Sequence, residues 1–135
     1  MSMIGTFIAL LVGTVMFGGP VQAQEFAPPP SNVPHLLGID LYKDLAQVAG
    51  KPSQYVGKQV VITDADVFMV DNHGALFRAG TIAFSVTTKG IDPETFRYFL
   101  ENCNGGGCKV HLLVTPTGGS TVMDGPELAD VKIVK

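Results

Sequence analysis

Apolar residues recur with a period of two in several stretches of the chain, the pattern of half-buried β-strands. Within the third stretch, Ile82, Phe84 and Val86 share one face, and small or polar residues occupy the other. The pattern predicts strands over residues 60–70, 75–79, 81–87, 109–115 and 128–134. Each strand is expected to have one buried face and one exposed face, which is typical of antiparallel sheets.

The apolar positions of the first stretch change parity. They fall on even numbers at Val60 and Ile62, and on odd numbers from Ala65 through Met69. A β-bulge at Thr63–Asp64 keeps all of these side chains on one face and bends the strand.

Two stretches have helical periodicity instead. Asp40 is a candidate N-cap for a short helix ending at Gly50. Asp92, followed by proline and glutamate, is a stronger helix start. The apolar stripe of this second helix is expected at Phe96, Phe99, Leu100 and Cys103. The resulting order, β-β-β-α-β-β, is that of a five-stranded OB-fold barrel, so the fold is predicted to be mainly β with a short leading helix.

The residues before the first strand, Pro52-Ser53-Gln54-Tyr55-Val56-Gly57-Lys58-Gln59-Val60, match a P-x-x-Y-x-G-K-x-V pattern. This pattern, together with a cysteine at the end of the helix and another at the start of strand four, resembles uncharacterised exported bacterial OB-fold proteins. The resemblance covers residues 52–135. It implies a small periplasmic OB-fold domain with a disulfide at the helix end, and it implies no catalytic residues.

The N-terminal segment has the sequence features of an export signal. Residues 4–17 are uncharged and apolar, and Val21-Gln22-Ala23 fits a signal-peptidase site, which requires small residues. We therefore predict a signal peptide over residues 1–23, a proline-rich tether over 24–38 and the OB-fold-like domain over 39–135. The predicted location is periplasmic or secreted; an uncleaved segment anchoring the domain to the membrane is the alternative.

Composition and charge exclude several classes of protein. The chain has 135 residues, a net charge of −3 and 46% hydrophobic residues, which argues against a disordered chain. The absence of a basic surplus argues against general nucleic-acid binding. The chain has two cysteines, Cys103 and Cys108, and an even number of cysteines in an exported chain predicts a disulfide. At a helix C-terminus the pair lacks the setting of a redox-active motif.

No catalytic or metal-binding motif stands out. His35, His73 and His111 lack metal-ligand spacing, so no metal or cofactor is expected. No nucleophile motif or phosphate-binding loop occurs, so the chain is predicted not to be an enzyme. The open alternative is a hydrolytic site built on Asp64 and Asp66 with Arg78.

The predicted function is that of a non-enzymatic exported binding module. OB-folds bind ligands on strands two and three and on the loops beside them. A small ligand, a glycan or an envelope protein is the expected partner; single-stranded nucleic acid or an oligosaccharide is the alternative. The long glycine-rich loop predicted over residues 116–126 contributes to this face. Its candidate ligand-binding residues are His73, Phe77, Arg78, Ser85, Thr117, Ser120 and Met123.

Overall fold

The computed structural model describes residues 26–120 and 125–135, which form a mainly β structure. The helices are α1 (Gly38–Leu45) and α2 (Pro93–Asn102), with single 3₁₀ turns at Val48–Gly50 and Thr88–Gly90. The strands are β1 (His35–Leu36), β2 (Val60–Asp71), β3 (Gly74–Ala79), β4 (Ile82–Thr87), β5 (Cys108–Ser120) and β6 (Pro126–Val134).

The strands form one sheet in the order β4-β3-β2-β5-β6, with every neighbouring pair antiparallel. A sixth strand, β1, pairs in parallel with the start of β2, so the prediction of five strands missed one. The predicted closed barrel is also corrected, because no strand pairing among the described residues joins β4 to β6. Only a single parallel bridge, Ile91 to Val131, connects the two sides.

The two outer strands of the open sheet are offset along β2. The register places Ala83 of β4 level with Asp66, in the second half of β2. It places Ile133 of β6 level with Ile62, in the first half of β2. The two outer strands are therefore paired to different halves of the same long central strand.

The predicted bulge in β2 is confirmed. Between the pairs Ile62–Leu112 and Ala65–Val110, two residues of β2 face the single residue His111 of β5. Asp64 adopts a left-handed φ of 54°, and its N–H donates to Nδ1 of His111 over 3.2 Å. The bulge thus finds a side-chain acceptor for the N–H that the ladder leaves unpaired.

A second bulge in β2 was not predicted. Against β3, Val67 pairs with Phe77 and Met69 with Leu76, so Phe68 is an extra residue. The parity changes again at this point: Val70 is buried, and Met69 is 51% exposed. The prediction that Met69 faces inward is therefore wrong.

The inner face of the sheet carries the core. Phe77 of β3 stacks on Phe84 of β4, with ring centroids 5.2 Å apart, and both are almost fully buried. Leu41 from α1 and Phe99 from α2 cover the same face. Burying large aromatic side chains contributes roughly 2–3 kcal/mol each, so this face stabilises the fold most.

Both predicted helices form, but the start of α1 and the buried residues of α2 differ from the prediction. Asp92 caps α2 as predicted, its carboxylate accepting from the Thr95 N–H over 3.2 Å. Leu100 is exposed, however, and Thr95 is buried in its place. Helix α1 begins before Asp40, at Gly38, where a Cβ would lie 2.4 Å from that of Ala79. Glycine is required at this close contact between helix and sheet.

The disulfide prediction is confirmed. Cys103 at the end of α2 and Cys108 at the start of β5 are bonded, with Cα atoms 5.0 Å apart. Gly105 and Gly107 adopt left-handed φ angles in the short loop between them. The bond therefore joins the end of the helix directly to the sheet.

Residues 26–34, here called the strap, lie on the sheet. The Lys135 N–H donates to the carbonyl of Ala27, and the Val61 N–H to that of Pro34, each over 2.9 Å. Phe26 packs edge-on against Tyr98. Proline lacks a donor but keeps its carbonyl, so a proline-rich segment can still bond to a sheet. The described part of the predicted tether therefore contacts the rest of the fold through Phe26, Ala27 and Pro34.

The predicted loop over residues 116–126 is shorter than expected. β5 continues through Pro116 to Ser120, and β6 begins at Pro126. In β6, Leu128 and Val131 are both buried, because Asp130 between them has a left-handed φ of 53° and shifts the register. The segment predicted as a signal peptide lies outside the described residues. No described helix is long and apolar enough to cross a membrane.

Candidate functional site

The outer faces of β2, β3 and β4 form one continuous surface. Met69, Leu76 and Ser85 lie directly opposite one another across the three strands. A groove of about 390 Å³ runs along this row, and we call it the outer groove. Met69 and Leu76 place apolar side chains on a sheet face that the alternation rule assigns to polar residues.

A cation–π pair lies beside the outer groove. The guanidinium carbon of Arg78 lies 4.7 Å from the centre of the Phe68 ring. Arg78 is exposed, and it pairs across the sheet with Asp66 on one side and Ala83 on the other. Stacking on a ring orients a guanidinium while leaving its N–H groups free to bind an anion.

The turn between β2 and β3 forms one rim of the outer groove. The carboxylate of Asp71 accepts from the backbone N–H groups of His73 and Gly74, over 2.8 and 3.2 Å. This bonding holds the turn in place, while the His73 side chain is 88% exposed. His73 is therefore positioned on a fixed loop with its imidazole directed to solvent.

The structure brings together only part of the predicted ligand-binding set. His73 and Ser85 line the outer groove, and Arg78 lies on the same face. Phe77 is 1% exposed and points into the core, so its predicted place on the binding face is corrected. The physical reason is that Phe77 pairs with Val67 and Phe84, both inward-facing.

The remaining predicted residues lie on the β5–β6 hairpin. Thr117 and Ser120 are exposed, and the Thr117 hydroxyl donates to the carboxylate of Glu127 over 2.6 Å. No hydrogen bond between described residues links them to the outer groove. Met123 lies outside the described residues.

Sequence reasoning missed the apolar residues of the surface: Phe68, Met69 and Leu76. A signal was present, because residues 67–70 are four consecutive apolar residues. Side chains alternate between the faces of a strand, so such a run must place apolar groups on both faces. The bulge at Phe68 decides which of them are exposed.

The residues of the alternative hydrolytic site are not gathered into one place. Asp66 and Arg78 lie opposite each other on the outer face. Asp64 instead lines a separate pocket of about 240 Å³, with Tyr98 and His111. Across the described ranges, no group of three or more histidine, cysteine or acidic residues could hold a metal ion.

Two further clefts lie beside the strap. One of about 490 Å³ lies between Pro28, Lys89 and Asp130, and the other, of about 510 Å³, between Val33 and Tyr55. The first has lysine and aspartate on its walls in equal number. Neither cleft is lined by a residue of β2, β3 or β4, the strands that carry the outer groove.

Comparison of the chain with protein-family models, with curated proteins and with solved structures found no match. The outer groove is therefore defined by its own register, burial and contacts. These describe an apolar row with a polar rim and an oriented guanidinium beside it.

Proposed function

We propose that the protein is an exported, non-enzymatic binding module that uses the outer groove to hold its ligand. The observation that carries this proposal is the apolar row of the exposed Met69 and the partly exposed Leu76, beside the stack of Arg78 on Phe68. Apolar side chains grouped on a sheet face typically mark an interaction surface.

We further propose that the fold is a variant of the OB-fold. The strand order, with a helix between the third and fourth of the five long strands, supports this assignment. The single bridge from Ile91 to Val131 lies where an OB barrel would join its third and fifth strands. In OB-folds the face formed by strands two and three binds ligands, and the outer groove lies on the corresponding strands.

The chemistry of the surface suggests the class of ligand. An apolar group fits between Met69 and Leu76, and a carboxylate or another anion suits the guanidinium of Arg78. A peptide segment of an envelope protein with one apolar and one acidic side chain meets both requirements. Aromatic stacking on Phe68 also suits a nucleic-acid base or a sugar ring, so both kinds of ligand are included in the test below.

The proposed surface is tested by selecting a random peptide library, displayed on phage, on immobilised protein. A selected peptide is then titrated against Met69→Ser and Arg78→Ala. Each variant is expected to weaken binding about tenfold, because each removes one of the two contacts, equivalent to about 1.4 kcal/mol. Leu100→Ser is the matched control, since Leu100 is 43% exposed on α2, against 51% for Met69.

The outcomes separate the candidate ligands. Equal binding by the Met69 and Leu100 variants would exclude the outer groove as the peptide site. Titration with a single-stranded thymidine oligonucleotide and with a chitin oligosaccharide forms the other two arms. Binding of either, lost in a Phe68→Ala variant but not in Leu100→Ser, would favour that ligand over a peptide.

Export is tested with the chain carrying its own N-terminal segment in a Gram-negative host. The expected product is a periplasmic protein that begins at Gln24, with its disulfide intact. Recovery of the full chain in the membrane fraction would instead support an uncleaved anchor. A full-length cytosolic product with reduced cysteines would contradict export.

A further inference from the structure

The outer groove has opposite charges at its two ends. Arg78 lies beside one end, and Asp71 lines the groove at the other. Asp71 pairs with Gly74 of β3, so the two charged positions are four residues apart along that strand. At a rise of about 3.3 Å per residue, this separation is roughly 13 Å. Met69 and Leu76 lie between the two ends, so the groove has an apolar middle.

The guanidinium of Arg78 forms no ion pair with any acidic group of the described chain. Asp66 is its partner across the two strands, but the Asp66 carboxylate is directed elsewhere. Its oxygen Oδ1 lies beside Gly107, 2.9 Å from where a Cβ would stand on that residue. Gly107 precedes β5, on the side of β2 away from β3. The positive charge of Arg78 is therefore available to a ligand.

The carboxylate of Asp71 uses only one of its two oxygens within the fold. The His73 and Gly74 N–H groups both donate to Oδ1, and Nδ1 of His73 lies 3.7 Å from that same oxygen. The other oxygen, Oδ2, accepts no hydrogen bond from residues 26–120 or 125–135. The Asp71 side chain is 61% exposed, so Oδ2 is accessible to a donor on a ligand.

We propose that the ligand of the outer groove is an extended peptide segment with an acidic and a basic side chain four residues apart and an apolar side chain midway between them. This inference rests on the proposed function and adds to it the basic residue, the spacing and the length. The acidic side chain binds Arg78, and the basic one donates to Oδ2 of Asp71. The apolar side chain lies between them, at Met69 and Leu76.

The geometry of an extended chain fits the groove. Residues i, i+2 and i+4 of such a chain point to the same side and span about 13 Å, which matches the separation of the charged ends. A segment with both signs of charge pairs with both ends of the groove. A nucleic acid offers only negative charge along its backbone, which Asp71 opposes, and a neutral oligosaccharide pairs with neither charge. Complementary charge at one end and repulsion at the other together give specificity.

Titration of capped synthetic peptides against the full protein, followed by NMR chemical shifts, tests the spacing. The first peptide has aspartate, leucine and lysine at its second, fourth and sixth positions, with glycine or serine elsewhere. The second has the same composition, but aspartate and lysine flank the leucine directly. The third is the first with glutamine in place of lysine. The first peptide is expected to bind about threefold more tightly than either of the others, the effect of one exposed ion pair.

Asp71→Asn identifies the residue that the lysine contacts. The amide keeps an oxygen that accepts from the N–H groups of the turn, but it removes the charge. This variant is expected to bind the lysine and glutamine peptides equally. Glu101→Gln is the matched control, since it removes an equal charge from an exposed position on α2, which covers the opposite face of the sheet. It should retain the threefold preference for lysine.

The outcomes distinguish this inference from the proposed function. Peptide binding that is weakened by Met69→Ser and Arg78→Ala, but is equal for the lysine and glutamine peptides, would overturn the pairing at Asp71 and leave the outer groove as the peptide site. Equal binding of the two peptides of identical composition would overturn the spacing. Binding by none of these peptides and by none from the displayed library would overturn the inference and the proposed function together.

Discussion

The outer edges of β4 and β6, the two outer strands of the sheet, differ in their hydrogen bonding. At β6, Val131 accepts from the Asp92 N–H, Ile133 donates to the Thr95 hydroxyl and Lys135 donates to the carbonyl of Ala27. At β4, no hydrogen bond between described residues reaches the corresponding groups, although β6 lies beside them. One edge of the open sheet is therefore hydrogen-bonded to α2 and the strap, and the other edge is not.

The difference shows that α2 acts as an edge cover as well as a core helix. Its cap residue and its buried threonine each contact β6, and its last turn is bonded by the disulfide to β5. β6 further carries Glu127, Asp130 and Lys132, with a bulge at Asp130, all of which discourage strand pairing. The edge without these hydrogen bonds, that of β4, carries no charged residue.

Removing the disulfide is expected to have the largest effect on the free energy of unfolding. Cys103→Ala with Cys108→Ala frees the end of α2 from β5, and we expect a loss of about 2 kcal/mol in the free energy of unfolding. Chemical denaturation measures it. The β6 edge should then exchange its amide protons faster, whereas an unchanged unfolding midpoint would show that the bond adds no stability.

Removing the buried hydrogen bond between Thr95 and Ile133 is expected to have the second-largest effect on the free energy of unfolding. Thr95→Val keeps the shape of the side chain but removes the oxygen that accepts from the Ile133 N–H over 3.1 Å. A buried unpaired N–H costs about 1–3 kcal/mol. Denaturation curves measure the loss, and Thr95→Ser, which keeps the hydroxyl, is the control. Equal losses in the two variants would assign the effect to packing rather than to the hydrogen bond.

Removing the helix cap should have a smaller effect. Asp92→Ala deletes the carboxylate that accepts from Thr95, while the Asp92 N–H that bonds β6 remains. Loss of an N-cap costs about 1 kcal/mol. Asp92→Asn, which retains a capping oxygen, should recover most of the stability in the same unfolding measurement. A variant without its cap that unfolds like the native chain would contradict the assigned role.

The smallest effect on folding is expected at β4. Ser85→Lys adds a charge to an edge that bonds to nothing else in the described chain, so the free energy of unfolding should change by less than about 0.5 kcal/mol. A loss comparable to that of Thr95→Val would mean that this edge is also covered, and the contrast between β4 and β6 would fail.

Local patterns in the sequence predicted much of the fold. The parity change between Ile62 and Ala65 identified the first bulge of β2, because it follows from alternation alone. The cap at Asp92 and the bond between the two cysteines followed from local chemistry in the same way. Elements whose residues interact with their near neighbours in the chain were predictable.

The candidate site was less predictable. Its apolar row depends on the bulge at Phe68, which appears only in the pairing of β2 with β3. Phe77 was placed on the wrong face, because a strand with apolar residues at consecutive positions does not reveal which of them are buried. The strap was also unexpected, since its carbonyl contacts come from residues distant in the chain.

Local sequence patterns predicted the five long strands, the capped helix and the disulfide, because alternation, capping and short loops act within a few residues. The folded structure was needed to show that the sheet is open and that β6 is hydrogen-bonded to α2 and the strap while β4 is not. The hydrogen bonds at β6 include contacts such as that of Thr95 with Ile133. Such contacts join residues far apart in the chain, and no local pattern encodes their register.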